Sequence, residues 1–206
     1  MKLYLKNHTE RYPVEQLQLQ LFAQEPSEFC TEPFTGDGTV SSLSRGKRYL
    51  TATAKVTYQG KTGFASNRVL LEKAAVRATR RILQRSYYLA ALQVLPAAPP
   101  WGALSGVRPT KLSTKCLMAG GSERDAERLL RQTYFVSPER ARLCVDASRH
   151  TVEAAKKLDA DDLSVYIGIP FCPTRCAYCS FVSQSIERFG EFLPAYLDAL
   201  LREIAH

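Results

Sequence analysis

The sequence predicts an α/β protein: an α+β amino-terminal module over residues 1–95, a helical connector over 96–160, and a β/α unit over 161–206. Three observations carry this reading. Residues 41–69 are rich in Thr, Val and Tyr with period-two alternation, the signature of half-buried strands. Residues 70–94 place Leu71, Ala75, Ala78, Ile82, Leu89 and Leu92 on one face when wound at 100° per residue. Residues 163–169 form a β-rich run that leads through a cysteine loop into a second amphipathic segment.

Taken in order, Lys2 to Lys6 reads as a short strand, and Val14 to Phe22 as an amphipathic helix with Leu17 and Leu21 on one side. The Tyr58-Gln59-Gly60-Lys61 stretch is a hairpin signal, with glycine supplying the turn, so two antiparallel strands are expected around it. In the helix of residues 70–94, Lys73, Arg77 and Arg80 fall opposite the apolar stripe: one side packs and the other is positive. Pro96, Pro99 and Pro100 end that helix, because proline cannot donate to the helical ladder and restricts its predecessor.

Beyond Trp101 the chain turns helical again. Ser122 with Asp125 resembles a capping box, and Ser137-Pro138 is a cap followed by a first-turn proline. The helix after Ser137 puts Ala141, Cys144, Val145, Ser148, Val152 and Ala155 on one face, which makes Cys144 a core residue, since a free cysteine behaves as a small buried hydrophobe. Cys116 beside Leu112 reads the same way. His8, His150 and His206 have no metal-ligand spacing to a neighbour, and no residue is assigned a catalytic role. Leu163 to Ile169 suits a strand buried on both faces, as in a parallel sheet or barrel. From Glu187 to Ala205, Phe189, Phe192, Leu193, Tyr196, Leu197, Leu200, Leu201 and Ile204 stand in helical register.

Composition narrows the class. With 45% hydrophobic and 23% charged residues, the 206-residue chain is neither disordered nor collagen-like. Its apolar runs are too short for a membrane span or a secretory signal, so the expected location is cytoplasmic, with no membrane partner. Six cysteines in a reducing compartment point to metal binding or catalysis wherever they cluster. The net charge of +8 is unevenly spread: residues 31–115 hold 14 basic and 3 acidic side chains, a local excess of +11. Arg45, Lys47, Arg48, Arg81 and Arg85 join the stripe of Lys73, Arg77 and Arg80. Three readings fit it: a solvated face, an RNA platform, or arginine forks for a carboxylated substrate.

Cys172-Pro173-Thr174-Arg175-Cys176-Ala177-Tyr178-Cys179 is a C-x3-C-x2-C motif. A structural zinc takes four protein ligands, and no fourth Cys or His follows in the loop. Three thiolates on a [4Fe–4S] cluster leave one iron open to a small molecule.

The run Tyr166-Ile167-Gly168-Ile169-Pro170-Phe171-Cys172, with Cys176, Tyr178 and Cys179, resembles the radical S-adenosylmethionine (SAM) superfamily, and within it the oxygen-independent coproporphyrinogen III dehydrogenases (oxidases). Trp101 to Leu112, reading WGALSGVRPTKL, is similar to a segment of a longer dehydrogenase-like subgroup with an extra amino-terminal domain. The resemblance implies that Cys172, Cys176 and Cys179 hold a [4Fe–4S] cluster and that SAM is the second cofactor. It further implies that Tyr178 packs on the SAM adenine, that Tyr166 lies near its methionine end, and that the substrate is a tetrapyrrole; the electron donor stays undefined. Residues 161–206 would then be the opening strand and helix of a radical SAM barrel.

Gly168 stands where the authentic dehydrogenases have histidine, and Phe181 where they have a further cysteine. A branch of haem-binding chaperones also lacks that cysteine. A haem-binding protein without dehydrogenase activity is therefore one alternative, and a radical SAM enzyme acting on RNA is another. At ~30 residues per β/α unit, residues 163–206 hold one unit of such a barrel, so the chain is expected to be a fragment that is inactive by itself.

Overall fold

Strand β1 (Lys2–Lys6) is followed by helix α1 (Tyr12–Leu21), which returns the chain to β2 (Glu28–Cys30), paired with β1 in parallel. Strand β3 (Gly38–Arg45) lies parallel to β1 on its other side, and β4 (Tyr49–Tyr58) and β5 (Lys61–Leu70) extend the sheet antiparallel, giving the order β2-β1-β3-β4-β5. The computed structural model describes residues 1–206 apart from Ala160, Arg175, Ala177, Tyr178, Ser180 and His206. It divides into two units, Met1–Leu158 and Asp159–His206. The α/β class read from the sequence is the class observed.

The sheet of the first unit is two-sided. Along β4 the side chains of Leu50, Ala52, Ala54 and Val56 are buried, whereas Thr51, Thr53, Lys55 and Thr57 between them are not. The β4–β5 turn is a two-residue connection in which Gln59 and Gly60 both take positive φ, 49° and 76°, matching the right-handed twist of the strands. Helix α2 (Val76–Ala91) covers the apolar face against β4 and β5, with α1 packed beside it.

The helix starts later than its periodicity suggests. Leu70 still pairs with Tyr49 as the last residue of β5, and Leu71–Lys73 form a single tight turn. The ladder with β4 claims the backbone groups that an earlier helix start would need. The buried face is also displaced from the periodic set: Ile82 is buried, Leu71, Ala78, Leu89 and Leu92 are half-buried and Ala75 is exposed, while Leu83, Tyr87 and Tyr88 are buried instead.

A second core cluster begins at Leu104, directly after the last residue of the first, Ala103. It is built by α3 (Pro109–Met118), α4 (Glu123–Arg128), a π-helical turn over Leu129–Thr133, and α5 (Pro138–Ala155). The Ser122–Asp125 capping box forms in full, and the Ser137 hydroxyl accepts the Arg140 N–H, each satisfying a helix-end donor that would otherwise lack a partner. Cys144 is buried among Leu104, Leu130 and Val145, and Cys116 packs at the edge of that cluster. Burial raises the pKa of the Cys144 thiol. Phe135, from the chain that follows the π-helical turn, packs back on the first cluster: Tyr88 stacks on it at 5.0 Å and Arg85 lies 4.8 Å from the centre of the same ring.

In the second unit the described elements are β6 (Phe171–Cys172), β7 (Gln184–Ser185), α6 (Ile186–Phe189) and α7 (Leu193–Ala205). The strand expected over Leu163 to Ile169 is not formed. These residues are irregular, with Leu163 89% and Tyr166 88% exposed. A strand of that composition needs pairing partners on both edges, and the described residues of this unit supply only the two-residue pairing of β6 with β7. The helix expected from Glu187 to Ala205 is divided at Gly190 by a tight turn over Gly190–Phe192. Among the described residues, no helix is long and apolar enough to cross a membrane.

Candidate metal and cofactor centre

The cysteine loop opens at β6, whose last residue is Cys172. Phe171 and Cys172 pair in parallel with Gln184 and Ser185, and the Gln184 N–H donates to the Pro170 carbonyl at 2.7 Å. This pairing closes the loop at its base. Inside it, the Cys179 N–H donates to the Cys176 carbonyl at 3.0 Å, so the second and third cysteines share one turn. Cys172 and Cys179 are half-buried and Cys176 is exposed, and none of the three is in a disulfide.

Tyr196, on α7, braces the approach to the loop. Its hydroxyl donates to the Gly168 carbonyl, and its ring meets Phe171 edge-on at 5.5 Å between centroids. Sequence reasoning placed Tyr196 only in helical register. The signal that could have found it is an aromatic residue with a polar handle on the helix that follows a cysteine loop. Beside Cys172 lies a cleft of ≈ 460 Å³ bordered by Pro173, Thr174, Glu187 and Arg188.

Of the residues singled out in the sequence, Tyr166 is exposed, its ring folded toward Gly168, where an added Cβ would come within 3.3 Å of it. Tyr178 lies outside the described residues. Cys172, Cys176 and Cys179 share the loop, but among the described residues no group of three or more His, Cys, Asp or Glu side chains is gathered closely enough to hold a metal ion. The donor set still suits an iron–sulfur cluster: three free thiols on one short loop, two of them within a single turn, with no competing disulfide.

Comparison with known proteins gives one relation of weight. The chain is 33% identical over 191 residues to the oxygen-independent coproporphyrinogen-III oxidase-like protein HemZ of Bacillus subtilis (strain 168), a match covering 87% of this chain. The chain spans 36% of the length of HemZ, about a third. No protein-family description matches the chain, and no solved structure matches it.

Proposed function

We propose that this protein is a radical SAM iron–sulfur oxidoreductase related to oxygen-independent coproporphyrinogen III oxidation, working in the cytoplasm on a tetrapyrrole of porphyrin and haem biosynthesis. The observation that carries this reading is the set of three free cysteines on one loop, in a chain similar to HemZ through most of its length. Cys172, Cys176 and Cys179 would hold the [4Fe–4S] cluster, and Tyr166 and Tyr178 would border SAM. When bound, the cluster and SAM supply the reductive cleavage that yields a hydrogen-abstracting radical. The chain's own residues contribute position: the β6–β7 pairing fixes where Cys172 leaves the strand, and Tyr196 holds Gly168 and Phe171 ahead of it.

A second reading, a haem carrier without turnover, is favoured by Phe181, which is 71% exposed where the dehydrogenases have a further cysteine. It predicts tight haem binding with no SAM cleavage.

The test is anaerobic reconstitution of the chain with iron and sulfide. About four irons and four sulfides per chain are expected, with a visible charge-transfer band, and each of Cys172→Ser, Cys176→Ser and Cys179→Ser should lose most of both. Stoichiometric zinc in place of iron, or iron content unchanged in all three variants, would overturn the assignment.

A further inference from the structure

The excess positive charge of residues 31–115 is not spread evenly over the first unit once it folds. On α2, Arg80 is taken up by Glu10 at 2.7 Å, and Arg85 by the Phe135 ring and the Gln132 carbonyl. Arg77 and Arg81, both exposed, make no ion pair among the described residues. They border a cleft of ≈ 480 Å³ whose other side is Tyr12 from α1, with Tyr134 beyond the π-helical turn. Tyr12 is 66% exposed, a large aromatic ring standing in water beside two unneutralised guanidinium groups.

A second cleft lies on the other side of the Tyr12 hydroxyl. The Tyr12 hydroxyl sits at Gly106, where an added Cβ would come within 3.4 Å of it. Gly106 also borders a cleft of ≈ 830 Å³ along α3, which continues with Arg108, Lys111 and Lys115. These three cations are exposed and make no ion pair among the described residues either. Besides Arg80, five cations line the two clefts with no carboxylate among the described lining residues, and a polyanion laid along them relieves their mutual repulsion. They also give a use to Gly106, Arg108 and Lys111, part of the WGALSGVRPTKL segment to which the cysteine loop assigns nothing.

An exposed aromatic ring within a basic groove selects among polyanions. A duplex hides its base faces, and an acidic peptide has none, whereas a single strand offers one at every nucleotide. We propose that this face of the first unit binds single-stranded nucleic acid, with Tyr12 stacking on a base and Arg77, Arg81, Lys111 and Lys115 meeting the phosphates. The sequence gives no aromatic motif next to the basic stripe, because the ring comes from α1 and the charges from α2 and α3.

Fluorescence anisotropy of the 206-residue chain with short labelled oligo(U) and oligo(dT) tests this. Binding is expected to weaken with salt at a slope of about −2 to −3.5 in log K against log salt, as for three to five phosphates on a single strand. Tyr12→Ala should weaken it about fivefold or more and Tyr12→Phe restore it, while Arg77→Glu with Arg81→Glu should flatten the slope by about 1.4. A preference for either sugar leaves the proposal standing. Equal affinity for a duplex together with no effect of Tyr12→Ala, equal binding of poly-glutamate, or no binding at low salt overturns it. The triple variant Cys172→Ser, Cys176→Ser, Cys179→Ser should bind as the parent does, so failure here and failure of the cluster assignment are told apart.

Discussion

His8 shows what one side chain's surroundings do to its titration. Its Nε2–H donates to the Ser41 carbonyl at 3.2 Å, and its buried Nδ1 has no partner among the described residues. A second proton would leave a buried N–H without an acceptor, so burial holds the imidazole below its ordinary 6.5 despite the nearby Glu10 carboxylate. The unfolded chain therefore takes up this proton at a higher pH than the folded one, and the stability that the neutral ring contributes is lost as pH falls below about 6.5. The urea midpoint should drop between about pH 7 and pH 5.5, and the drop should be smaller in His8→Gln. Parallel pH profiles for the two proteins would exclude this role. Legibility differs at this scale. Cys144 could be read as core because its neighbours on a helical face are local, and the cysteine cluster because its spacing is. The Tyr196–Gly168 bond and the cleft shared by Tyr12 and the α2 arginines could not, because each joins residues far apart in the sequence.

Between elements, β5 lies close against the end of α2. Gly63 is buried, and a Cβ there would run into the Ala90 carbonyl oxygen. One turn on, the Gln93 carboxamide accepts the Phe64 N–H at 3.2 Å and donates to the Phe64 carbonyl at 2.8 Å, filling the backbone positions that the edge strand leaves open. Gly63→Ala should cost about 1–3 kcal/mol, because the backbone on both sides must move. Urea unfolding of the variant checks this, and a midpoint equal to the parent's would show that α2 can shift freely. The β4–β5 hairpin was legible because its turn chemistry sits within four consecutive residues. The parallel pairing of β1 with both β2 and β3 was not, since no local pattern states which strand a given strand will meet. The start of α2 was misplaced for the same reason: pairing of Leu70 with Tyr49 outweighed the helical register.

Across the molecule, the two units differ in how they hold their apolar side chains. The first unit encloses two clusters centred on residues such as Leu17, Tyr87 and Leu130, each fully buried. In the second, no described helix buries a residue, and Phe192, Leu201 and Ile204 are more than half exposed. Limited proteolysis should accordingly cut first between Leu158 and Ile169 and leave a resistant product close to Met1–Leu158. Early cuts within α2 or α5 would contradict this. The irregular stretch from Leu163 to Ile169 has a further consequence. It has no strand neighbours among the described residues, and Val165, Ile167 and Ile169 along it are exposed. Such a stretch is a template on which the same stretch of another molecule can assemble edge to edge. Concentrated preparations of the chain would then be prone to cloud and precipitate through this seam, and a charged residue placed within it would act as a gatekeeper against such clumping.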